Sequence, residues 1–330
     1  LNMENIKFKA LEVSEIEGEF KRKIIEKEIK DLPEGDLIIN VKYSSLNYKD
    51  ALSANGNKGV TRKYPHTPGI DAAGIVVEDQ SGTYKKGDKV VVTGYDFGMN
   101  TDGGFEEYVR IPATWAAKLP EKLTLRESMI YGTAGFTAAL SIYKLLEADV
   151  DQGNILVTGA SGGVGSFACA ILSKIGYKVT AATGKTEAKA YFNNLGVKDV
   201  IAREKVDDES GKMLLKEKWD GVIDTVGGNM LTTAIKSTKY DGAVTCCGNV
   251  ASAKLDLNVY PFILRGVSLF GIDSVKCRKD LRKKLWQNIA SDWKVDQIDE
   301  FSNEVVLENL DEQIEKMLAG NSKGRIVVKL

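Results

Sequence analysis

The stretch Asn154–Ile171, NILVTGASGGVGSFACAI, constrains the fold of this chain more than any other. Ile155-Leu156-Val157-Thr158 is a short apolar run of the length expected for a buried parallel strand. Gly159, Gly162, Gly163 and Gly165 follow at once, and Val164–Ile171 reads as the apolar start of a helix. Strand, glycine turn and helix in that order let backbone N–H groups approach a pyrophosphate at the positive end of the helix. The spacing is G-x-x-G-x-x-G, departing from G-x-G-x-x-G at Ala160. Glycine turns without a nucleotide are also common, so the surrounding pattern has to decide.

A length of 330 residues predicts two domains. A net charge of -1 gives no global field toward nucleic acid or an acidic membrane. No apolar run approaches the ~18 residues of a membrane span, and no secretory signal pattern opens the chain, which predicts a cytoplasmic protein. Cys169, Cys246, Cys247 and Cys277 show no C-x-x-C spacing, as a reducing compartment permits. Cys246 and Cys247 are adjacent within an expected strand, which would point them to opposite faces. His66 is the only histidine, which excludes a His-ligated metal site or a Ser-His-Asp triad elsewhere in the chain.

Taken in order, residues 7–45 are β-rich, and Ser44–Leu52 reads as a loop entering a helix. Short strands are expected over Ile70–Glu78, Lys89–Thr93, Gly103–Arg110 and Trp115–Leu119, which together suggest a small closed β unit over residues 1–120. From Leu125 the period becomes helical, over Leu125–Tyr131 and Ala134–Leu146. After the glycine turn, strands alternate with helices expected at Glu187–Leu195, Glu209–Lys218 and Met230–Ser237. That alternation argues for a doubly wound parallel sheet. The basic helix expected over Asp280–Trp293 reads as a solvated face, and the last strand, Arg325–Leu330, as one returning to the β unit. The fold class is therefore α/β, with the β-rich domain over 1–126 and 295–330 and the nucleotide-binding domain over 127–294.

The corner about 20 residues past the glycines selects the dinucleotide. It reads Ala182-Thr183-Gly184-Lys185, with no acid before Glu187. A hydroxyl, an unhindered backbone N–H and a cation suit a 2′-phosphate, so NADP(H) is favoured over NAD(H). Lys185 can equally be read as a solvated loop lysine. Gly184-Lys185-Thr186 imitates part of a P-loop but lacks glycine at Val179.

With these segments in view, the chain resembles the medium-chain dehydrogenase/reductase superfamily over essentially its full length. Gly132-Thr133-Ala134-Gly135 and Ser161–Gly165 carry the general likeness. SSLNYKDAL (Ser44–Leu52), PGIDAAG (Pro68–Gly74), IDTVGG (Ile223–Gly228), PFILRGV (Pro261–Val267) and GIDSV (Gly271–Val275) resemble its zinc-free branch of acryloyl-CoA reductases and quinone oxidoreductases. The resemblance implies a GroES-like catalytic domain beside a Rossmann domain. Where zinc-dependent relatives have a cysteine and a histidine ligand, this chain has Asn47 and Ile70, so it implies hydride transfer without a metal. It further implies that Tyr48, Thr133, Ser161, Gly162, Gly163, Val164, Thr183, Gly184, Lys185 and Arg203 line the NADPH site. Asn249, Ile263, Ser274 and Asn321 match positions near the nicotinamide half or its ribose; for the apolar members, core packing explains their presence as well.

The activity so implied is conjugate reduction of an enoyl thioester, acryloyl-CoA to propionyl-CoA, in a cleft between two lobes. Tyr48 and Asn47 are the expected catalytic residues, with Tyr48 or a hydroxyl it orients supplying a hydrogen bond or proton. Coenzyme A phosphates call for cations, and Lys58, Arg62, Lys63, Lys323 and Arg325 are the candidates, several of which could equally be ordinary solvated charges. Two alternatives stay open: an NADPH:quinone oxidoreductase, and a non-catalytic NADPH-binding protein. By analogy the chain forms a homodimer through the strand at Ser268–Gly271, and no nucleic-acid or membrane partner is expected.

Overall fold

The computed structural model describes residues 3–185, 188–296 and 298–330. The chain divides into two compact units, one comprising 1–133, 275–290 and 296–330, the other 134–274 and 291–295.

The first unit opens with a hairpin of β1 (Lys7–Ile16) and β2 (Glu19–Glu28), turned tightly at Glu17 and Gly18, both at positive φ. Next come β3 (Leu37–Leu46), α1 (Tyr48–Ala54), β4 (Asp71–Asp79), β5 (Lys89–Thr93), β6 (Tyr108–Ile111) and β7 (Ala116–Lys118). Leu37, Ile39 and Val41 of β3 pack with Val76, Val90 and Val109, while the intervening Ile38 packs with Phe8 and Ile29. Burial on both faces explains why β3 starts as a continuous apolar run rather than an alternating one. Helix α2 (Leu125–Glu147) runs through the two expected helices, but its backbone leaves helical geometry at Gly132 (φ 49°, ψ −153°).

The second unit contains β8 (Asn154–Val157), α3 (Gly163–Lys174), β9 (Lys178–Thr183), α4 (Lys189–Asn194), β10 (Asp199–Ala202), β11 (Trp219–Asp224), α5 (Gly228–Lys236), β12 (Thr238–Cys246), α6 (Tyr260–Arg265) and β13 (Ser268–Gly271). Its strands form a parallel sheet in the order β10-β9-β8-β11-β12-β13. The order reverses between β8 and β11, where such sheets place a ligand at their carboxyl ends. The glycine turn leaves β8 at that point. Helix α7 (Lys279–Ala290) then groups with the first unit, although its sequence position lies within 127–294. The physical tie is Arg282, whose guanidinium donates to the Thr93 carbonyl and hydroxyl and lies 5.0 Å from the Tyr95 ring. Finally β14 (Ser302–Val306), α8 (Leu310–Leu318) and β15 (Arg325–Lys329) complete the seven-stranded sheet β14-β15-β3-β4-β5-β7, with β6 on β3. The returning strand expected from the sequence is thus β15, antiparallel to β3.

Two expectations change. The helix over Glu209–Lys218 is absent: Leu215 and Lys218 N–H donate to the Lys236 and Ser237 carbonyls, and Arg265 donates to the Leu215 carbonyl. Gly211 at φ +71° and the Ser210 bonds to Asp208 turn the chain away from a helix before that. Cys247 falls just beyond the end of β12, so the two cysteines do not alternate within a strand. The Glu187–Leu195 helix is observed as α4, from Lys189; Thr186 and Glu187 lie outside the described residues. Among the described residues, no helix is long and apolar enough to cross a membrane.

Candidate active site

The glycines of the turn have separate physical reasons. Gly159 sits at φ +57°, and a Cβ there would lie 2.1 Å from the Thr225 hydroxyl. A Cβ at Gly165 would lie 2.3 Å from the Gly159 carbonyl, so the third glycine brings helix and strand together. Gly162 caps α3, where a Cβ would meet only the Gly159 carbonyl, at 3.4 Å, and Ser161, Gly162 and Gly163 are exposed. The N–H groups of the first turn of α3 have no intrahelical carbonyl to bond. They therefore form an uncrowded row of donors at a helix N-terminus, which fits a pyrophosphate.

The specificity corner stands one strand away. Thr183 is buried, and its hydroxyl accepts from the Lys185 N–H at 3.0 Å and bonds the Ser161 hydroxyl at 3.2 Å. Gly184 and Lys185 are exposed. The Arg203 guanidinium runs beside Gly184, 3.5 Å from where a Cβ would be. Ser161, Thr183, Gly184, Lys185 and Arg203 thus come together around one corner, with Val164 half-buried behind the turn. The set is cationic and rich in donors, which fits a phosphate.

Asn47 and Tyr48 stand in the first unit, at the start of α1. Asn47 caps the helix: its N–H donates to Asp50 at 2.8 Å. The Asn47 side-chain amide donates to Asp71 at 2.8 Å and to Asp50 at 3.3 Å, and its oxygen accepts from Arg325 at 3.1 Å. Both amide hydrogens are committed, so Asn47 has none left for a substrate. Tyr48 is 57% exposed, and its hydroxyl has no hydrogen bond among the described residues. Burial, and after it the charge of Asp71, pushes Asp50 up to about 7 despite donors from Asn47 and Ile70.

The remaining expected residues are less concentrated. Thr133 follows the α2 kink, and both its N–H and hydroxyl donate to Asp71. Asn249 is exposed and, with Cys246, Cys247 and Ile272, lines an open cavity of ≈ 580 Å³ at the end of β12. Ile263 is exposed on α6, Ser274 is half-buried, and Asn321 is exposed beyond α8, its N–H on the Lys316 carbonyl. Among the candidate cations, Arg325 is corrected by the fold. It is buried within β15 and donates to the Ile130 and Leu46 carbonyls as well as to Asn47, so it cannot meet a solvated phosphate. Lys58 pairs with Glu15 and lies over the Phe20 and Tyr64 rings, whereas Arg62, Lys63 and Lys323 are exposed.

Sequence reasoning missed Asp50, Asp71 and Gly132. The two aspartates lie inside the quoted segments SSLNYKDAL and PGIDAAG, and Gly132 opens GTAG, but none was given a role there. Two acids at that separation gain meaning only once β3 and β4 pair.

Two family models match the chain: an alcohol dehydrogenase GroES-like domain over residues 33–121 and a zinc-binding dehydrogenase domain over 163–291. YhfP of Bacillus subtilis, grouped by name with quinone oxidoreductases, is 44% identical over 303 residues, 91% of this chain and 92% of that protein. Its crystal structure with NAD bound superposes with a TM-score of 0.97 at 41% identity, covering 99% of this chain and 100% of that one. Acrylyl-CoA reductase AcuI of Ruegeria pomeroyi is 40% identical over 325 residues, 97% of this chain and 98% of that protein. The yhdH oxidoreductase of Salmonella enterica, in complex with NADP, has a TM-score of 0.94 at 36% identity and covers 98% of this chain and 99% of that one. A two-unit α/β protein with a GroES-like unit and a Rossmann unit is the fold class that these matches share. The chain belongs to the medium-chain dehydrogenase/reductase superfamily, as an oxidoreductase of its acrylyl-CoA reductase/quinone oxidoreductase branch. Zinc does not fit its donor set. Asn47 is hydrogen-bonded to a guanidinium, Ile70 has no donor atom, and no cysteine or second histidine joins them.

Proposed function

We propose that this chain is an NADPH-dependent reductase of an activated carbon–carbon double bond, with acryloyl-CoA as its acceptor. The observation that carries the reading is the full-length likeness to an acrylyl-CoA reductase, 40% over 97% of the chain. The first turn of α3 holds the pyrophosphate, and Ser161, Thr183, Gly184, Lys185 and Arg203 hold the 2′-phosphate. NADPH, when bound, supplies a hydride for the β-carbon of the acceptor. As negative charge develops on the thioester oxygen, the Tyr48 hydroxyl donates a hydrogen bond to it, and a proton from solvent then completes the reduction at the α-carbon. Asn47 orients that tyrosine. Arg62, Lys63 and Lys323 are the exposed cations left for coenzyme A phosphates.

NADPH oxidation with acryloyl-CoA, crotonyl-CoA, free acrylate and a benzoquinone tests this reading. Acryloyl-CoA is expected to exceed free acrylate by about a hundredfold in kcat/KM, since remote binding energy lowers the barrier. Equal rates for the two would sink the thioester reading, and a preference for benzoquinone would favour the quinone reductase that the YhfP likeness suggests. Tyr48→Phe is expected to lower kcat about 10- to 100-fold; an unchanged kcat removes the hydroxyl from the chemistry. Self-association is part of the same reading. β13 is an edge strand beside the exposed Val259, Ile263 and Leu264, which suits pairing with a second copy. Sedimentation as a monomer at micromolar concentration would count against it.

A further inference from the structure

We infer that Asp71 is a positioning residue for this reduction, holding Tyr48 in place through Asn47; the inference rests on the reading of Tyr48 given above. Asp71 is fully buried and receives four donors from two other segments of the chain. Ser45 Oγ lies at 2.6 Å, Asn47 Nδ2 at 2.8 Å, Thr133 N at 3.0 Å and Thr133 Oγ1 at 2.6 Å. Arg325 Nη2, which has no hydrogen-bond partner, stands 3.9 Å from the same carboxylate, while Nη1 of that guanidinium grips Asn47. The α2 kink makes room for the group. A Cβ on Gly132 would lie 2.4 Å from Asp71 Oδ2, 2.7 Å from Arg325 Nη2 and 2.9 Å from Ser45 Oγ.

Packing alone does not call for such an arrangement. A buried ion pair contributes little net stability against an apolar replacement of the same shape, and its best-attested use is to enforce one register. Here the register enforced is that of Asn47. Asp71, Asp50 and Arg325 engage its amide from three sides, which fixes that side chain and the backbone leading into α1. Tyr48 is the next residue and has no hydrogen-bonding anchor of its own among the described residues. Its orientation is inherited from the cap. Loss of one donor should therefore loosen Tyr48 before it unfolds the sheet.

The test uses Asp71→Asn and, as a milder change, Ser45→Ala. Turnover with acryloyl-CoA is normalised to NADPH-binding sites, NADPH affinity is measured by its fluorescence, and hydrogen exchange is followed along the chain. The expected result is a kcat per site lower by about tenfold in Asp71→Asn and about threefold in Ser45→Ala, from misplacement of a reacting group. NADPH affinity should fall by less than kcat does, because the turn before α3 and the Thr183–Lys185 corner are untouched, although Tyr48 and Thr133 are expected near the cofactor. Exchange should quicken over residues 45–54, with β5 and β12 unchanged. A parental kcat per site in either variant overturns the inference, since a merely structural role lowers the fraction folded and not the turnover of what is folded. If Asp71→Asn does not fold, Ser45→Ala alone decides. If the parent protein reduces none of the acceptors, the functional reading fails, and exchange still decides the placement: unchanged rates over 45–54 would overturn it.

Discussion

Two clusters of buried charge in the GroES-like unit are built from matching parts and behave differently. Around Asp50 and Asp71 the cation is Arg325; around Asp102 and Glu106 it is Lys27. Lys27 donates to Thr67, Asp102 and Glu106 at 2.9–3.0 Å. Asp102 pays for its burial with further donors, the Thr67 N–H at 3.0 Å and the His66 ring at 3.4 Å. Against the desolvation, these donors and Lys27 hold its carboxyl well below the usual carboxylate range. Glu106 is fully buried, has only Lys27, and leaves one oxygen unbonded; burial pushes it up to about 8. Within the Lys27 group, the extra donors on Asp102 separate an acid that stays ionised from one that holds its proton. The clusters differ in purpose too. The Lys27 group ties β2 to the turn at Thr67 and the loop before β6, whereas the Arg325 group ends on Asn47, the cap of α1.

The largest effect expected is from Arg325→Met. It leaves Asp71 and Asp50 buried without a counter-charge and should cost ~3–5 kcal/mol in denaturant unfolding. Lys27→Met should cost less, because Glu106 already holds its proton near neutral pH and Asp102 keeps its other donors; an equal or larger loss would break the distinction between the clusters. An intermediate effect follows from pH. Burial raises the Glu106 pKa from the ordinary glutamate value of 4.5 to about 8 on folding. Its contribution is therefore fully present below about pH 4.5 and is lost as pH rises through about 8. Glu106→Gln should remove that fall, a change on the order of a few kcal/mol across the window. Unfolding curves for both proteins at pH 5 and 8.5 check it, and parallel losses would contradict it. The smallest effect is from Thr67→Ala, which deletes one bond to Lys27 and should cost ~1 kcal/mol while leaving kcat per folded molecule unchanged. Reduced turnover there would mean that the Lys27 group also serves the reaction.

Legibility in the sequence followed how local the controlling interaction is. The run β8, Gly159–Gly165, α3 could be read because strand, turn and helix meet within 21 residues, Asn154–Lys174. The same holds for Thr183–Lys185, whose hydroxyl-to-backbone bond spans two residues. Glu209–Lys218 looked helical, yet the Leu215 and Lys218 N–H groups bond the Lys236 and Ser237 carbonyls, a choice made by the α5–β12 connection. Arg325 looked like one more terminal cation until β15 paired with β3, setting Ile326 opposite Leu46.

The sequence by itself thus determined the parallel sheet, the glycine turn and the Thr183–Lys185 corner, because periodicity and short-range sterics specify them. Only the tertiary structure decided that Arg325 faces inward, that Asn47 is a cap with no free hydrogen, and that Asp71 joins a strand end to a helix kink. Those facts depend on the register between strands far apart in the chain, where moving one pairing by a single residue turns a buried carboxylate into a solvated one.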